Sequence, residues 1–243
     1  MQFLRAGEPA ESNIFNRLDE HKRALLASGK DVINLSIGTP DFQPEPHIMQ
    51  AVSRAALDPE QYKYSLNETR ALLDAVQGWY KRRYDVELAD DEIMAVCGSQ
   101  EGIAHVCFPF AGPNDIILVP DPGYPIFSFG PLMTGATVAL YPLKEENNWL
   151  LDFADIPEDI ADRAKAMVVS YPNNPTTALA DRAFYERLVT FAREHNIIVI
   201  HDNAYSDLLL NGEQGLSFLS IPGAKEVGIE FNSLSKTYNL TGM

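Results

Sequence analysis

Apolar positions in the N-terminal part of the chain recur with helical spacing. Those from Ile14 to Leu26 share one face of a predicted helix, which Ser12 caps and Gly29 ends. A short strand is predicted over residues 32–37, where a glycine and a proline then break the apolar run. Two further helices are predicted over residues 46–57 and 68–83.

From residue 93 onward, short apolar strands alternate with helical segments. The predicted strands cover residues 93–96, 115–119, 137–141, 166–170, 197–201 and 227–232, and the predicted helices cover residues 100–108, 125–134, 155–163 and 181–195. This alternation is typical of βαβ units. Segments that are apolar at every position, such as residues 197–200, fit a sheet covered by helices on both faces. The pattern therefore predicts an α/β fold.

The polar residues that follow the strands form the candidate site, because ligands of such sheets bind beyond the carboxyl ends of the strands. These residues are Gly98 to Gln100, Asp121 to Tyr124, Tyr171 to Pro175, Asp202 to Tyr205 and Ser233 to Lys236. We expect most of them at one rim of the sheet.

Two of these residues have the chemistry that an aldehyde cofactor needs. Lys236 can condense with an aldehyde if its ammonium loses a proton, although an isolated lysine is more often a solvated surface charge. Asp202 follows an apolar strand and can keep a pyridine nitrogen protonated. The alternative for Asp202 is that it caps the next turn.

A phosphate group also has candidate ligands. Gly98, Ser99 and Gln100 stand between a strand and a helix, where free backbone N–H groups bind anions. Ser233 and Ser235 can add hydroxyl groups, although serines in turns usually bond their own backbone.

Three further side chains can contact a flat heterocycle. Tyr124 can stack on its face, Tyr205 can bond a ring oxygen, and Asn174 can donate its amide to the same oxygen. Each has a simpler alternative, namely a core or interface tyrosine and a turn at Asn-Pro. Taken singly, Tyr124 leaves its two alternatives about even, whereas the turn is favoured for Asn174.

Composition and charge disfavour several functions. A net charge of −15 disfavours nucleic acid or an anionic membrane as a partner. We interpret the basic triplet Lys81-Arg82-Arg83 as a solvent-exposed helix end. Cys97 and Cys107 lack metal-ligand spacing, so no metal site is expected. Short apolar runs and the lack of a signal-peptide pattern predict a cytoplasmic location.

The segments INLSIGTPDF, YPNNPT, HDNAY and NSLSKTYNLTG, in this order, resemble class I and II aminotransferases. These enzymes use pyridoxal 5'-phosphate (PLP) and form part of the fold-type I, aspartate aminotransferase superfamily. The residues of these segments are most similar to those of LL-diaminopimelate and aspartate-type aminotransferases. The resemblance implies a three-layer α/β/α PLP-transferase large domain with a mixed, mostly parallel sheet.

The resemblance also implies a role for each candidate residue. Lys236 is expected to be the Schiff-base lysine and acid/base, and Asp202 to pair with the pyridinium nitrogen. Tyr205 and Asn174 would contact the ring oxygen, and Tyr124 would stack on the ring. The implied phosphate ligands are Ser99, Gln100, Ser233, Ser235 and, from a neighbouring subunit, Tyr64, and the implied substrate contacts are Ile37, Gly38 and Asn174.

The reaction implied by the resemblance is PLP-dependent transamination between an amino acid and a 2-oxo acid. Such enzymes are homodimers with shared active sites that serve amino-acid biosynthesis. Two alternatives keep the fold but differ in function: a PLP-dependent C–S β-lyase, and a non-catalytic PLP-fold binding module. The β-lyase would need no oxo-acid acceptor, and the present lysine disfavours the non-catalytic module.

The chain also departs from the family pattern. It stops at Met243, where the family continues with a phosphate-binding arginine and a C-terminal small domain. We therefore expect residues 1–40 to be an N-terminal arm and helix that normally packs on that domain. Residues 41–243 are expected to be an incomplete PLP-binding large domain, a fragment with impaired activity. Thr177 stands where the family often has glycine.

Overall fold

The computed structural model describes residues 14–35, 38–210 and 212–242. Its helices are α1 (Ile14–Ala27), α2 (Pro46–Ala56), α3 (Arg70–Tyr84), α4 (Ser99–His105), α5 (Ile126–Met133), α6 (Glu158–Ala161), α7 (Arg182–Glu194) and α8 (Leu234–Thr237). Its strands are β1 (Ile116–Asp121), β2 (Thr137–Pro142), β3 (Ala164–Ser170), β4 (Ile198–Asp202) and β5 (Gly228–Phe231). Short 3₁₀ turns lie at Pro59–Tyr62, Asp90–Glu92, Glu145–Asn147, Phe153–Asp155, Phe218–Ser220 and Ala224–Glu226.

The described strands form one sheet in the order β2-β1-β3-β4-β5, and each pairing between neighbours is parallel. β2 lies on one side of β1, whereas β3, β4 and β5 lie on the other. The order of the strands therefore reverses between β1 and β3, and a crevice opens at the carboxyl ends of strands at such a point.

Helices cover both faces of the sheet. Met167 of β3 packs in one apolar cluster with Phe184 of α7. The next residue, Val168, packs in a second cluster with Phe127 of α5. Because successive side chains of a strand point to opposite faces, these clusters are two separate layers of core. The predicted three-layer α/β/α fold is confirmed.

Side-chain caps and prolines set the helix boundaries. The Thr69 hydroxyl accepts a hydrogen bond from the N–H of Leu72 and begins α3, and Asp181 caps α7 in the same way. The helix predicted over residues 155–163 shrinks to α6 because Pro157 holds the preceding residue extended.

The strands predicted over residues 32–37 and 93–96 are absent from the sheet, and residues 36 and 37 lie outside the described part of the chain. β5 is an edge strand of the sheet, and no described residue pairs with 93–96. The N–H of Ala95 instead donates to Glu68 at 3.0 Å, and Met94 is 81% exposed. An extended segment without a neighbouring strand lacks the ladder of hydrogen bonds that defines a strand.

Helix α1 buries none of its residues, and Ile14, Leu18 and Leu26 are exposed on it. Gly29, just past its end, has a positive φ of 78°, as expected of a helix-terminating glycine. The Phe15 ring lies 6.3 Å from the Tyr124 ring, centroid to centroid. In the ranges that the structure describes, no helix has the length and hydropathy needed to cross a lipid bilayer.

Candidate active site

Most of the candidate residues lie at or after the carboxyl ends of β1, β3, β4 and β5, whereas Ser99 and Gln100 begin α4. Ser170, the last residue of β3, pairs with Asp202, the last residue of β4, and Asp202 pairs in turn with Phe231 of β5. The strand ends are therefore level with one another, so the loops that follow them leave the sheet along one rim.

Asp202 is a buried carboxyl without a full set of partners. It is 6% exposed, and its Oδ1 atom has no hydrogen-bond partner among the described residues. Burial raises the pKa of Asp202 from 3.8 to about 6, against the opposing effects of His201 and the N–H of Ala204. A buried acceptor without a donor is costly, so this site suits a ligand that brings an N–H group to it.

Asn174 and Tyr205 contact each other near this carboxyl. The Asn174 amide donates to the Tyr205 hydroxyl at 3.4 Å, and the Lys236 ammonium lies 5.8 Å from the centre of the Tyr205 ring. Burial and the Asp202 charge raise the pKa of Tyr205, while the Asn174 amide opposes them. The structure thus brings together the lysine, the amide, the phenol and the carboxyl.

Tyr124 belongs to the same group. Its hydroxyl donates to Gln100 at 3.3 Å, and its ring packs edge-on against Phe127 with centroids 5.9 Å apart. Burial raises the pKa of Tyr124, and the charge of Asp202 raises it further. The rim therefore has an aromatic wall beside the carboxyl, as ring stacking requires, although the stacking itself stays a prediction.

Lys236 lies in the four-residue helix α8, which directly follows β5. Its ammonium donates to the carbonyl oxygen of Gly38 at 2.8 Å, which brings to the lysine one of the two substrate contacts expected from the N-terminal segment, Ile37 and Gly38. Burial lowers the pKa of Lys236, so the neutral amine is more accessible than in a solvated lysine. The other expected contact, Ile37, lies outside the described residues.

The expected phosphate ligands of this chain lie in two segments, at the start of α4 and at the start of α8. Ser99 and Gln100 begin α4, and the preceding Gly98 has a φ of 92° and makes no side-chain cap. The Ser233 hydroxyl accepts from the N–H of Ser235 at 3.2 Å and thereby caps α8. The two serines thus bond each other, and phosphate binding by these residues stays a prediction.

Tyr64 is not part of the group. Its side chain is 98% exposed, and the structure brings it to none of the other candidate residues. Its expected contact with the phosphate of a neighbouring subunit stays a prediction.

The interpretation of Lys81-Arg82-Arg83 as a wholly solvent-exposed helix end is wrong for Arg83. Its guanidinium donates to Asp207 at 3.1 Å, and its side chain is only 26% exposed. Sequence analysis also missed Asp207. The available signal was an acidic residue two positions after Tyr205, in the same loop.

Thr177 lies in the loop that carries Asn174 and has a φ of 63°. A β-branched side chain in this left-handed region is strained, at a cost of roughly 1–2 kcal/mol. Thr177→Gly removes that strain, but glycine also raises the conformational entropy of the unfolded chain. Because the second effect offsets only part of the first, we expect a net gain of roughly 0.5–1 kcal/mol in the free energy of unfolding. Urea denaturation measures it.

The control for this prediction is Thr176→Gly. The Thr176 hydroxyl donates to Asn173 at 2.9 Å, so its loss is expected to lower stability. Equal effects of the two substitutions would contradict the assignment of strain to Thr177.

Residues 30–243 match the family model described as aminotransferase class I and II. The chain belongs to the class I and II aminotransferase family. Members of this family depend on PLP. The family and its cofactor are those that the sequence motifs predicted.

Named relatives support the same assignment. An LL-diaminopimelate aminotransferase from Aquifex aeolicus is 46% identical over 231 residues, which cover 94% of this chain and 60% of the relative. A Bacillus subtilis structure named BacF has a TM-score of 0.89 at 38% identity, and covers 95% of this chain and 59% of its own. A probable N-succinyldiaminopimelate aminotransferase from Thermus thermophilus has a TM-score of 0.89 at 37% identity, with 95% and 62% covered. The chain therefore spans about 60% of the length of the curated relatives that it matches.

Proposed function

We propose that the full-length gene product is a PLP-dependent aminotransferase that moves an amino group between an amino acid and a 2-oxo acid. The observation that carries this proposal is Asp202. Its carboxyl is buried, lacks a donor on Oδ1, and shares its surroundings with Tyr205 and Tyr124. These residues fit a protonated pyridine ring, since such a ring supplies the missing N–H and a flat surface.

Each residue of the rim would then have a distinct task. When bound, PLP supplies an aldehyde and an electron-withdrawing ring. Asp202 would accept a hydrogen bond from the ring nitrogen and keep it protonated. Tyr205 and Asn174 would donate to the ring oxygen, and Tyr124 would pack on the ring face. Backbone and hydroxyl groups of Ser99, Gln100, Ser233 and Ser235 would hold the phosphate.

Lys236 would act first as nucleophile and then as acid/base. Its neutral Nζ would be the nucleophile toward the aldehyde that the cofactor supplies. With the substrate in place, the free Nζ would move a proton between the substrate Cα and the cofactor C4′. The lowered pKa of Lys236 favours the neutral amine in both steps.

The substrate proposal rests on the relatives. Those 43–46% identical to this chain bear the name LL-diaminopimelate aminotransferase, so we propose LL-diaminopimelate as the amino donor. The remaining proposals follow the family: a cytoplasmic homodimer with Tyr64 reaching the neighbouring site, Ile37 and Gly38 closing on the substrate, and a role in amino-acid biosynthesis. Residues 1–40 would form the N-terminal arm and residues 41–243 the large domain.

The test is covalent trapping. The full-length gene product is mixed with PLP, reduced with borohydride, digested and analysed by mass spectrometry. We expect the added mass on Lys236, accompanied by a visible absorption band that Lys236→Ala lacks. Lys165 serves as a control because it is a partly exposed lysine that pairs with Asp115 instead. Trapping on other lysines, or an unaltered band in Lys236→Ala, would refute the proposal.

Transamination itself is measured with LL-diaminopimelate and a 2-oxo acid. We expect the amino group to appear on the oxo acid. Release of product from the amino acid without an acceptor would instead indicate an eliminating enzyme.

A further inference from the structure

The carboxylate of Asp207 joins two helices that are distant in sequence. Its Oδ1 accepts from the Arg83 guanidinium of α3 at 3.1 Å, and its Oδ2 accepts from the Thr237 hydroxyl of α8 at 2.9 Å. Thr237 is the residue directly after Lys236. A single side chain therefore connects α3 to the helix that carries the candidate nucleophile.

The α3 side of this bridge is firmly held. Tyr84, one residue after Arg83, is buried, and its hydroxyl lies 2.7 Å from the Ser206 hydroxyl. Arg83 also donates to the carbonyl oxygen of Ser206 at 3.4 Å. Ser206 and Asp207 are therefore fixed to α3 by several contacts, and the Asp207 carboxylate is a stable point of attachment.

The α8 side depends on that attachment. A helix of four residues has no stability of its own. The bonds of Ser233 to Ser235 and of Thr241 to Ser235 lie within the segment and do not orient it against the sheet. Between described residues, the side-chain hydrogen bonds that leave α8 are those of Lys236 to Gly38 and Thr237 to Asp207.

In the proposed reaction the first of these two bonds would be altered, because the Lys236 ammonium would no longer exist in its free form. The bond between Thr237 and Asp207 uses a different side chain, which takes no part in that reaction. It is therefore the contact available to hold α8 while the lysine nitrogen changes its bonding.

We propose that Asp207 and Thr237 are positioning residues that set the orientation of α8, and with it the place of the Lys236 nitrogen relative to Asp202 and Tyr205. Arg83 holds the Asp207 carboxylate in the orientation that Thr237 needs. This inference rests on the proposed PLP chemistry of Lys236.

The central variant is Thr237→Val, which keeps the shape of the side chain and removes its donor. In the full-length gene product with PLP, we expect the rate of borohydride-trapped linkage at Lys236 to fall roughly tenfold to a hundredfold, because a nucleophile displaced by about 1 Å loses rate on this scale. We expect kcat to fall with it, while KM changes less. The pH at which the visible band titrates should also shift.

Two matched variants separate positioning from folding. Thr237→Ser keeps the hydroxyl and is expected to restore the trapping rate to within about twofold of the unmodified protein. Thr241→Val removes a hydroxyl of the same segment whose hydrogen bond to a described residue goes to the Ser235 carbonyl, and it should leave the rate and the pH profile unchanged. Asp207→Ala should match Thr237→Val, and the double variant should be no slower than either single one.

The outcomes are distinguishable. If the unmodified protein traps no PLP at Lys236, the proposed function fails, and this inference fails with it. If the unmodified protein traps PLP and Thr237→Val has the trapping rate and pH profile of Thr241→Val, only the inference is overturned. The same holds if Thr237→Val lowers only the thermal stability, or if the Asp207 and Thr237 effects are additive.

Discussion

Asp202→Asn is expected to lower kcat of the full-length gene product roughly a hundredfold to a thousandfold, the loss typical of removing one group that stabilises charge in the transition state. Asparagine has nearly the same shape but carries no charge, so it cannot keep a pyridine nitrogen protonated. Steady-state kinetics with LL-diaminopimelate and a 2-oxo acid measure the effect. Asp202→Glu keeps the charge and should retain more activity.

The same substitution is expected to stabilise the cofactor-free protein. The pKa of Asp202 is raised from 3.8 to about 6 in the folded state. The group therefore adds stability below pH 3.8 that is lost as the pH rises through about 6. Above that pH the buried charge costs up to about 3 kcal/mol, which Asp202→Asn removes. Thermal unfolding of the cofactor-free protein between pH 4 and pH 8 tests this sign, with the gain expected at the upper end.

Asp155→Asn is the matched control. Asp155 also has a buried carboxylate oxygen without a partner, Oδ2, but it pairs with Lys144 at 2.6 Å. Asp155→Asn should leave kcat unchanged and should not raise the free energy of unfolding, because it removes the charge that pairs with Lys144. If Asp202→Asn retained full kcat, Asp202 would not be the partner of the ring nitrogen.

Local sequence signals predicted the helices and strands whose formation depends on residues close together in the chain. β3 and β4 were visible as apolar runs, and α7 began at a capping aspartate, Asp181. Asp202 and Lys236 could be singled out because each lies at or shortly after the end of a strand, and parallel strands end at one rim. Chain order alone therefore placed them close together.

Contacts between residues that are distant in sequence could not be predicted. The 93–96 segment has strand character, but no local signal tells whether a neighbouring strand exists. Gly38 reaches Lys236 through a backbone carbonyl across 198 positions, and a carbonyl is common to every residue. Arg83 and Asp207 meet across 124 positions, and each alone is typical of a solvent-exposed charge.

The buried carboxylate of Glu230 makes further contacts between residues that are distant in sequence, and it is the largest expected determinant of stability. Its side chain is wholly buried and accepts from Tyr80 at 3.0 Å, from Ser217 at 2.8 Å and from the N–H of Phe218 at 2.8 Å. The His201 ring nitrogen Nδ1 lies 2.9 Å from Oε2, the oxygen that also accepts from Phe218, whereas Tyr80 and Ser217 donate to Oε1. The carboxylate thereby joins β4, β5, α3 and the turn at Phe218–Ser220.

Glu230→Ala is expected to lower the free energy of unfolding by roughly 3–5 kcal/mol, because it leaves several buried donors without an acceptor. Burial would raise the pKa of Glu230, but hydrogen bonds from His201 and Ser217 outweigh it and lower the pKa. Its contribution is therefore present above its ordinary pKa of 4.5 and is lost as the pH falls. Urea denaturation at neutral pH and at low pH should show the gap between the two proteins closing in acid.

Glu226→Ala provides the comparison, since Glu226 lies four residues earlier and pairs with Arg193 with 70% of its side chain exposed. Surface pairs of this kind contribute about 0–1 kcal/mol, so its loss should be small and should vary little with pH. Glu230→Gln keeps one acceptor oxygen, so its loss in the free energy of unfolding should lie between those of Glu230→Ala and Glu226→Ala. A Glu230→Ala protein as stable as Glu226→Ala would show that the buried hydrogen bonds only balance the cost of burying the charge.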